Sequence, residues 1–334
     1  MTVCIHFAKQ LHMTTDALKF NTIPAYVVPG QDDDAAYVLK MTDEHRHPYY
    51  YSILTEPVPD KTVMTPSDIA DPLFHPILAA ALLQVPEISR QRLTVTVPLS
   101  EYRNAALIRE SLQEISYTVE DLKTGEVIQL KFGQVEIIPT TICMSIDALL
   151  RDRTSEDDFF EGDDESVKKF PALESQSRIF FLLRVAMQRT EWVIFREESL
   201  EVVDAGDFPQ SLNAVLFRIK RFYMDRTKST LRPYSDEKAF EDGYAMFGGM
   251  PIDLVEVIRE AKTHLVDRLS QQIQQLLTKH RVTDQLLVGE DVQHILEELQ
   301  ERFPQARSVA DPEFAVLRGL YKVNYLAQIS VVER

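Results

Sequence analysis

The segment between residues 243 and 250 comes nearest to a known catalytic motif. Gly243 and Gly248 have the spacing of the glycines in a phosphate-binding P-loop. Gly249 and Met250, however, stand where that loop needs a lysine and a serine or threonine to hold phosphate and Mg²⁺. We therefore interpret the segment as a turn that leads into a long helix. The GxGxxG, GxSxG, CxxC and HExxH patterns are absent from the sequence.

Two groups that contain histidine stand out in the sequence, and the first, His264 with Asp267, could ligate a metal. His264 and Asp267 lie three residues apart, a spacing that puts both on one face of a helix. A zinc site needs at least a third protein ligand, and none is evident nearby. His45 and His47 flank an arginine in a polar stretch. We expect both groups to be solvated surface and predict no metal site.

The composition limits the classes of function. A chain of 334 residues is long enough for two domains. Its 36 Lys and Arg against 52 Asp and Glu give a net charge of −16, which disfavours direct binding to nucleic acid or to an anionic membrane. Glycine is scarce, at 10 residues. Because phosphate loops need glycine for close backbone approach, this scarcity also disfavours nucleotide chemistry.

The cysteines and the longest apolar run indicate the cellular compartment of the protein. Cys4 and Cys143 each lie in an apolar, strand-like run and are expected to be reduced core residues. The longest wholly apolar run, residues 77–83, is far shorter than a membrane span. These features predict a cytoplasmic protein.

Strand-like and helix-like patterns alternate in both halves of the chain, as in α/β domains. Residues 1–63 are rich in β-branched and aromatic residues interrupted by prolines and are predicted to be strand-rich. Further strands are predicted at 93–97, 118–122, 127–132, 135–138, 179–183, 192–195, 200–203 and 285–288. Helices are predicted at 72–84, 101–115, 142–150, 211–225, 251–280, 291–302 and 311–320. The longest is expected to begin with Pro251, a residue suited to a first helical turn.

Two charged segments stand out against this pattern. Residues 151–178 interrupt it, and seven carboxylates between positions 156 and 165 surround Phe159 and Phe160. This segment is either a solvated connecting loop or an acidic-aromatic peptide that docks on a basic partner. Residues 218–228 form a basic run on a predicted helix. That run is either a solvated face or a contact for an acidic neighbour, such as the 156–165 segment of another copy.

The last hundred residues resemble the C-terminal half of bacterial actin-like proteins, in particular the ParM plasmid-partitioning group. The resemblance is carried by residues 239–253, the long helix, residues 284–289, Phe303-Pro304 and the closing run 311–322. That run, DPEFAVLRGLYK, is similar to a fairly specific family pattern. The resemblance is clear over 239–323 and weaker over 1–235.

The resemblance implies an α/β, actin-like (ribonuclease H-like) fold of two lobes, with mixed sheets and flanking helices. Domain I would cover residues 1–150, with a C-terminal helix, 306–334, packing back on it. Residues 151–178 would be an acidic connecting loop, and residues 179–305 would form domain II.

The resemblance also implies four stations that would contact a nucleotide, and each departs from the family pattern. In the opening strand, His6 replaces an acid and Ala8 a glycine. In the second phosphate loop, Arg184 replaces an acid, and Ala186 and Met187 replace two glycines. Arg189 lies two residues after Met187.

The other two stations lie further along the strands. Thr140 occupies the place of the Glu or Gln that orients the attacking water in the family. Gly289, Glu290 and Asp291 replace a triple glycine beside the adenosine and add two carboxylates. We therefore predict no catalytic residue at these stations. The loss of the two acids at positions 6 and 184 also removes oxygen ligands that Mg²⁺ prefers.

Two interpretations of the altered stations stay open. His6, Arg184 and Arg189 could neutralise a phosphate without metal, because arginine binds phosphate in a bidentate manner. Alternatively, the site is dry or salt-bridged, with Arg184 paired to an acid such as Glu191. No cofactor is expected; if one binds, the resemblance implies ATP or ADP with Mg²⁺.

The resemblance thus implies a cytoskeletal or partitioning-system protein that has lost ATP binding and hydrolysis and acts as a structural, capping or adaptor component. The alternative is a working ATP-dependent polymerising ATPase for plasmid or DNA segregation. A phosphotransferase of the wider fold group is disfavoured, because the phosphate glycines are missing. Expected partners are the protein itself or another actin-like subunit, and a basic adaptor at 156–165, without direct contact to nucleic acid or membrane.

Overall fold

The computed structural model of the protein describes most of the chain. It covers residues 3–7, 11–14, 21–56, 64, 69, 71–85, 92–151, 179–196, 201–231, 235–282, 286–309 and 311–332. Ala8 and the acidic segment 152–178, including 156–165, lie outside the described residues. The chain divides into two units, Met1–Asp147 with Val316–Arg334, and Ala148–Ala315.

Two five-stranded sheets form the framework of the first unit. Its strands are β1 (Val3–Phe7), β2 (Leu11–Thr14), β3 (Asn21–Ile23), β4 (Tyr26–Pro29), β5 (Tyr37–Thr42), β6 (Pro48–Leu54), β7 (Arg92–Val97), β8 (Tyr117–Asp121), β9 (Val127–Leu130) and β10 (Gln134–Pro139). Its helices are α1 (Phe74–Leu83), α2 (Leu99–Tyr102), α3 (Ala105–Gln113), most of α4 (Thr140–Arg151) and most of α9 (Pro312–Val332). The strand orders are β10-β7-β1-β2-β3 and β4-β6-β5-β8-β9.

Apolar strands and an apolar helix fill the core between these sheets. In β1, consecutive residues Val3, Cys4 and Ile5 are all buried, which is typical of a central strand covered on both faces. β1 and β10 both run parallel to β7. Helix α1, buried almost all round, contacts strands of both sheets and closes the core.

One mixed sheet with helices builds the second unit. Its elements are β11 (Ile179–Val185), β12 (Thr190–Arg196), β13 (Glu201–Phe208), α5 (Asn213–Thr227), α6 (Ser235–Asp242), β14 (Tyr244–Phe247), β15 (Met250–Asp253), α7 (Val255–His280), β16 (Leu286–Glu290), a 3₁₀ turn (Asp291–His294), α8 (Leu296–Arg302) and β17 (Ala306–Ser308). The sheet order is β13-β12-β11-β16-β17, with β11, β16 and β17 parallel. The buried stripe of α7 packs on this core, as its spacing predicts.

The start of the long helix was wrong in the sequence-based prediction. Pro251 does not begin it; residues 250–253 form β15, which pairs with β14 in a hairpin. Gly248 and Gly249 have φ of 57° and 81°, as the tight turn of a two-residue hairpin requires. The helix begins at Val255, whose backbone N–H donates to Asp253 Oδ1 at 2.9 Å.

Three other helix boundaries also differ. The predicted helix 101–115 is two helices, because Asn104, with ψ of 10°, leaves helical geometry. The predicted helix 291–302 breaks at Ile295, which has φ of −135° and is fully buried. Residues 306–308 pair with β16 as a strand, so the C-terminal helix begins at Pro312 and not at 306, the start that the family resemblance implies. It continues to Val332, well beyond the 311–320 that its residue pattern predicts.

Both cysteines are free and buried, as predicted. Burial raises the pKa of the Cys143 thiol, and nearby Cys4 adds to the effect, so the thiol stays protonated at neutral pH. No helix of the described part of the chain is long and apolar enough to cross a bilayer.

Candidate functional site

In the first unit, the carboxyl ends of the parallel strands carry the predicted station of His6. Ligands of α/β proteins bind at such strand ends. His6 is buried, and its Nδ1 lies 2.7 Å from Oγ1 of Thr96 on the neighbouring strand β7. The imidazole is therefore held by a hydroxyl of its own sheet. The sequence-based reasoning did not find this partner, because the two residues lie 90 positions apart.

Thr140 follows β10 and begins α4. It is fully buried, and its hydroxyl, like that of Thr141, forms no hydrogen bond with any described residue. A threonine hydroxyl donates one hydrogen bond and accepts others, but it is not a base at neutral pH. Thr140 can orient a water molecule, whereas it cannot accept a proton from one as a carboxylate would.

In the second unit, Arg184 on β11 forms a buried ion pair. The antiparallel register places it directly opposite Glu191 on β12, and Arg184 Nη1 donates to Glu191 Oε2 at 2.9 Å. Both side chains are almost completely removed from solvent. Arg184 is thus paired with Glu191, the acid named in the salt-bridged interpretation of this position.

The turn between β11 and β12 contains three further predicted positions. The backbone N–H of Ala186 donates to the carbonyl oxygen of Arg189 at 2.9 Å, which closes the turn. Helix α5 begins against it: the N–H of Asn213 donates to the Met187 carbonyl at 2.8 Å, and that of Leu212 to the Ala186 carbonyl at 3.4 Å. The amides that open α5, which would otherwise favour an anion, thus bind turn carbonyls.

The last predicted station adjoins this turn. Gly289 and Glu290 are the final residues of β16, beside Arg184 and Val185 of the parallel strand β11. Asp291 begins the 3₁₀ turn. The structure thus brings the backbone at Arg184, Gly289 and the 186–189 turn together at one end of the sheet. It describes the side chain of neither Ala8 nor Glu290.

The other sequence candidates have surface roles. Asp267 pairs with Arg302 at 2.8 Å, and His264 is exposed, in agreement with the surface interpretation of both. His47 pairs with Asp43 at the surface. Within the described ranges, no group of three or more His, Cys, Asp or Glu side chains is placed to hold a metal ion.

Sequence reasoning missed a buried charge cluster in the first unit. Asp147 on α4 accepts hydrogen bonds from Nε and Nη2 of Arg318, the shortest at 2.8 Å, and from Lys322 Nζ at 2.7 Å. At Gly319, an added Cβ would overlap the carbonyl group of Cys143. Part of the run 311–322, which carried the family resemblance, therefore packs α9 against α4.

The comparisons with known proteins identify structural neighbours. No family model matches the chain, and no curated protein sequence does. A non-polymerisable quadruple mutant of pCBH ParM matches with a TM-score of 0.77 and 17% identity, covering 97% of this chain and 99% of that chain. A 15-stranded ParM filament from Clostridium botulinum matches with a TM-score of 0.75, 15% identity and the same coverages.

An archaeal neighbour extends the comparison. The actin homologue Ta0583, solved in complex with ADP, matches with a TM-score of 0.71 and 16% identity, covering 96% of this chain and 97% of that chain. At such identities the likeness establishes a fold. It is the fold that the residues 239–323 had implied.

Proposed function

From the actin-like fold of the chain, we propose that it assembles with copies of itself or with another actin-like subunit and that this assembly does not require an ATP cycle. It would act as a structural, capping or adaptor component of a filament or partitioning system, in the cytoplasm. Two of the structural neighbours are described as filaments, which supports self-association.

The buried pair of Arg184 and Glu191 carries the proposal. The resemblance places Arg184 where the family carries its second acid. Mg²⁺ is bound through carboxylates, water and phosphate oxygens. Here the position holds a cation whose guanidinium is bonded to Glu191, so the pair supplies neither a metal-binding carboxylate nor an uncompensated charge for phosphate.

The remaining described stations support the same conclusion. The turn at Ala186 and Met187 offers carbonyl oxygens to α5, and phosphate repels such groups. Thr140 lacks the carboxylate or carboxamide oxygen of the family position. These residues do not fit a magnesium-bound triphosphate.

A nucleotide titration tests the proposal. ATP and ADP, with and without Mg²⁺, are added to the whole chain while its melting temperature and sedimentation are followed, with the ADP-binding Ta0583 as positive control. A ligand at 100 times its Kd stabilises the folded state by about 2.7 kcal/mol, a shift of several degrees. We expect no shift, and assembly that is equal with and without nucleotide.

The alternative function predicts the opposite outcome. A polymerising ATPase would bind with micromolar affinity in a Mg²⁺-dependent manner and form filaments only when ATP is added. Either result would contradict the proposal. The observation that favours this alternative is the ADP bound to Ta0583.

A further inference from the structure

Helix α5 presents an exposed face that is both basic and apolar. Its inner face packs in the core of the second unit. On the outer face, Phe217 and Met224 remain 65% and 45% exposed. Arg221 and Lys228 follow at helical spacing, and Arg218 lies beside Phe217. We call these five residues the α5 outer face.

Two of the cations on the α5 outer face are available to a partner. Arg218 forms no ion pair with any described residue, and Arg221 lies 4.0 Å from Asp225 with both side chains largely exposed. Lys220, in contrast, pairs with Asp236 of α6 at 2.6 Å and so holds the two helices together. The basic run of the sequence thus contains a structural charge at Lys220 and, separately, outward charges at Arg218 and Arg221.

A groove adjoins the α5 outer face. It has a volume of about 560 Å³ and lies between the first turns of α5 and the loop before β12. Phe217 forms part of its wall, together with Asn213, Pro209 and Gln188. An aromatic ring entering there would contact the Phe217 ring, and paired aromatic rings attract each other beyond the burial of their area.

The sequence contains one segment with the complementary chemistry. Residues 156–165 carry seven carboxylates around Phe159 and Phe160. Two molecules with a net charge of −16 repel each other over most of their surfaces, so a basic face is where a second copy gains attraction. A segment that combines negative charges with aromatic side chains is complementary to the basic and apolar α5 outer face.

We propose that the α5 outer face binds the acidic segment 156–165 of a second copy of the chain. This inference rests on the proposed function, which supplies that second copy. The contact joins two different surfaces, so a pair of bound molecules still has one α5 outer face and one acidic segment that can bind further copies. Contacts of this kind continue into rings or open filaments.

Charge exchange between two variants tests the contact. Variant A carries Arg218→Glu and Arg221→Glu. Variant B carries lysine in place of the four aspartates of the segment, Asp157, Asp158, Asp163 and Asp164. We expect sedimentation velocity to show self-association at least about tenfold weaker for each variant alone, because like charges then face each other. An equimolar mixture of A and B should restore it, since both of its mixed contacts join opposite charges.

A matched control separates this contact from net charge. Arg103→Glu with Arg109→Glu makes the same charge change on exposed positions of the first unit and should leave association unchanged. Unaltered melting temperatures show that the variants fold. Association of A equal to wild type, or a mixture that stays dissociated, would overturn the inference while leaving nucleotide-independent assembly standing.

Two further outcomes also decide the question. A wild-type chain that stays monomeric at every concentration contradicts both the inference and the self-association in the proposed function. A synthetic 154–168 peptide is then added to the monomer. If the peptide binds the α5 outer face only when the acidic segment of the chain carries the lysines of variant B, the segment binds its own chain, and the second-copy contact is refuted.

Discussion

At the residue scale, the Arg184–Glu191 pair distinguishes a structural role from a ligand-binding one. Breaking a buried ion pair leaves an uncompensated charge, whereas replacing both partners by apolar groups is often tolerated. The pair should therefore respond differently to single and double substitution.

We expect Glu191→Gln to lower the free energy of unfolding by about 3–5 kcal/mol, because it leaves the buried guanidinium of Arg184 without its counter-charge. The double variant Arg184→Met with Glu191→Leu should recover most of that loss. Chemical denaturation measures both. Equal, small losses in all variants would mean that the pair is solvated and open to a ligand.

Short-range contacts at this scale could be predicted from the sequence, and long-range ones could not. Arg184 and Glu191 are separated by one tight turn, so a hairpin brings them together. His6 and Thr96 meet only because β1 and β7 are neighbours in the sheet. No periodicity along the chain reports that adjacency.

At the element scale, the crossing of α4 and α9 explains a motif that sequence comparison alone left without a physical reason. Gly319 allows the α9 backbone to approach the Cys143 carbonyl, and Arg318 and Lys322 bind Asp147 from the same helix. Spacing predicted a terminal helix. Its partner, α4, lies more than 160 residues earlier and could not be predicted from local pattern.

We expect Gly319→Ala to destabilise the protein by about 1–3 kcal/mol or more, because the new methyl group overlaps the Cys143 carbonyl. In an unhindered helix the same change stabilises by about 1 kcal/mol, so the sign itself is informative. Thermal unfolding measures it.

Gly125→Ala is the matched control. That glycine has open space around it and a φ of 75°, so only backbone strain of about 1 kcal/mol is expected. A stabilising Gly319→Ala would show that the two helices are not in backbone contact.

The hairpin of β14 and β15 shows why one element was predicted wrongly. Pro251 is compatible with a first helical turn, which favours a helix that begins there. The Gly248-Gly249 pair between alternating residues is the stronger signal for a hairpin. Two local preferences competed, and tertiary pairing decided between them.

At the scale of the whole molecule, the net charge of −16 and the seven carboxylates of 156–165 predict opposite effects of the acidic segment on self-association. If repulsion between copies limited assembly, removing the segment would strengthen it. If the segment binds the α5 outer face, removing it weakens assembly.

We expect replacement of residues 156–165 by a Gly-Ser stretch of equal length to weaken self-association. Salt should weaken the wild-type association, because the Debye length falls from about 10 Å at 0.1 M to about 3 Å at 1 M. The replaced variant should respond to salt in the opposite direction, since only repulsion is left to screen. Light scattering across this range measures both, and parallel salt responses would contradict the assignment.

The division of the chain into units also bears on how it is synthesised. The unit formed by Met1–Asp147 includes Val316–Arg334, whereas Ala148–Ala315 is one continuous stretch. Domains commonly fold in order of emergence from the ribosome. Here Asp147 must wait for Arg318 and Lys322, so the half of the molecule that is translated first is the half that is completed last.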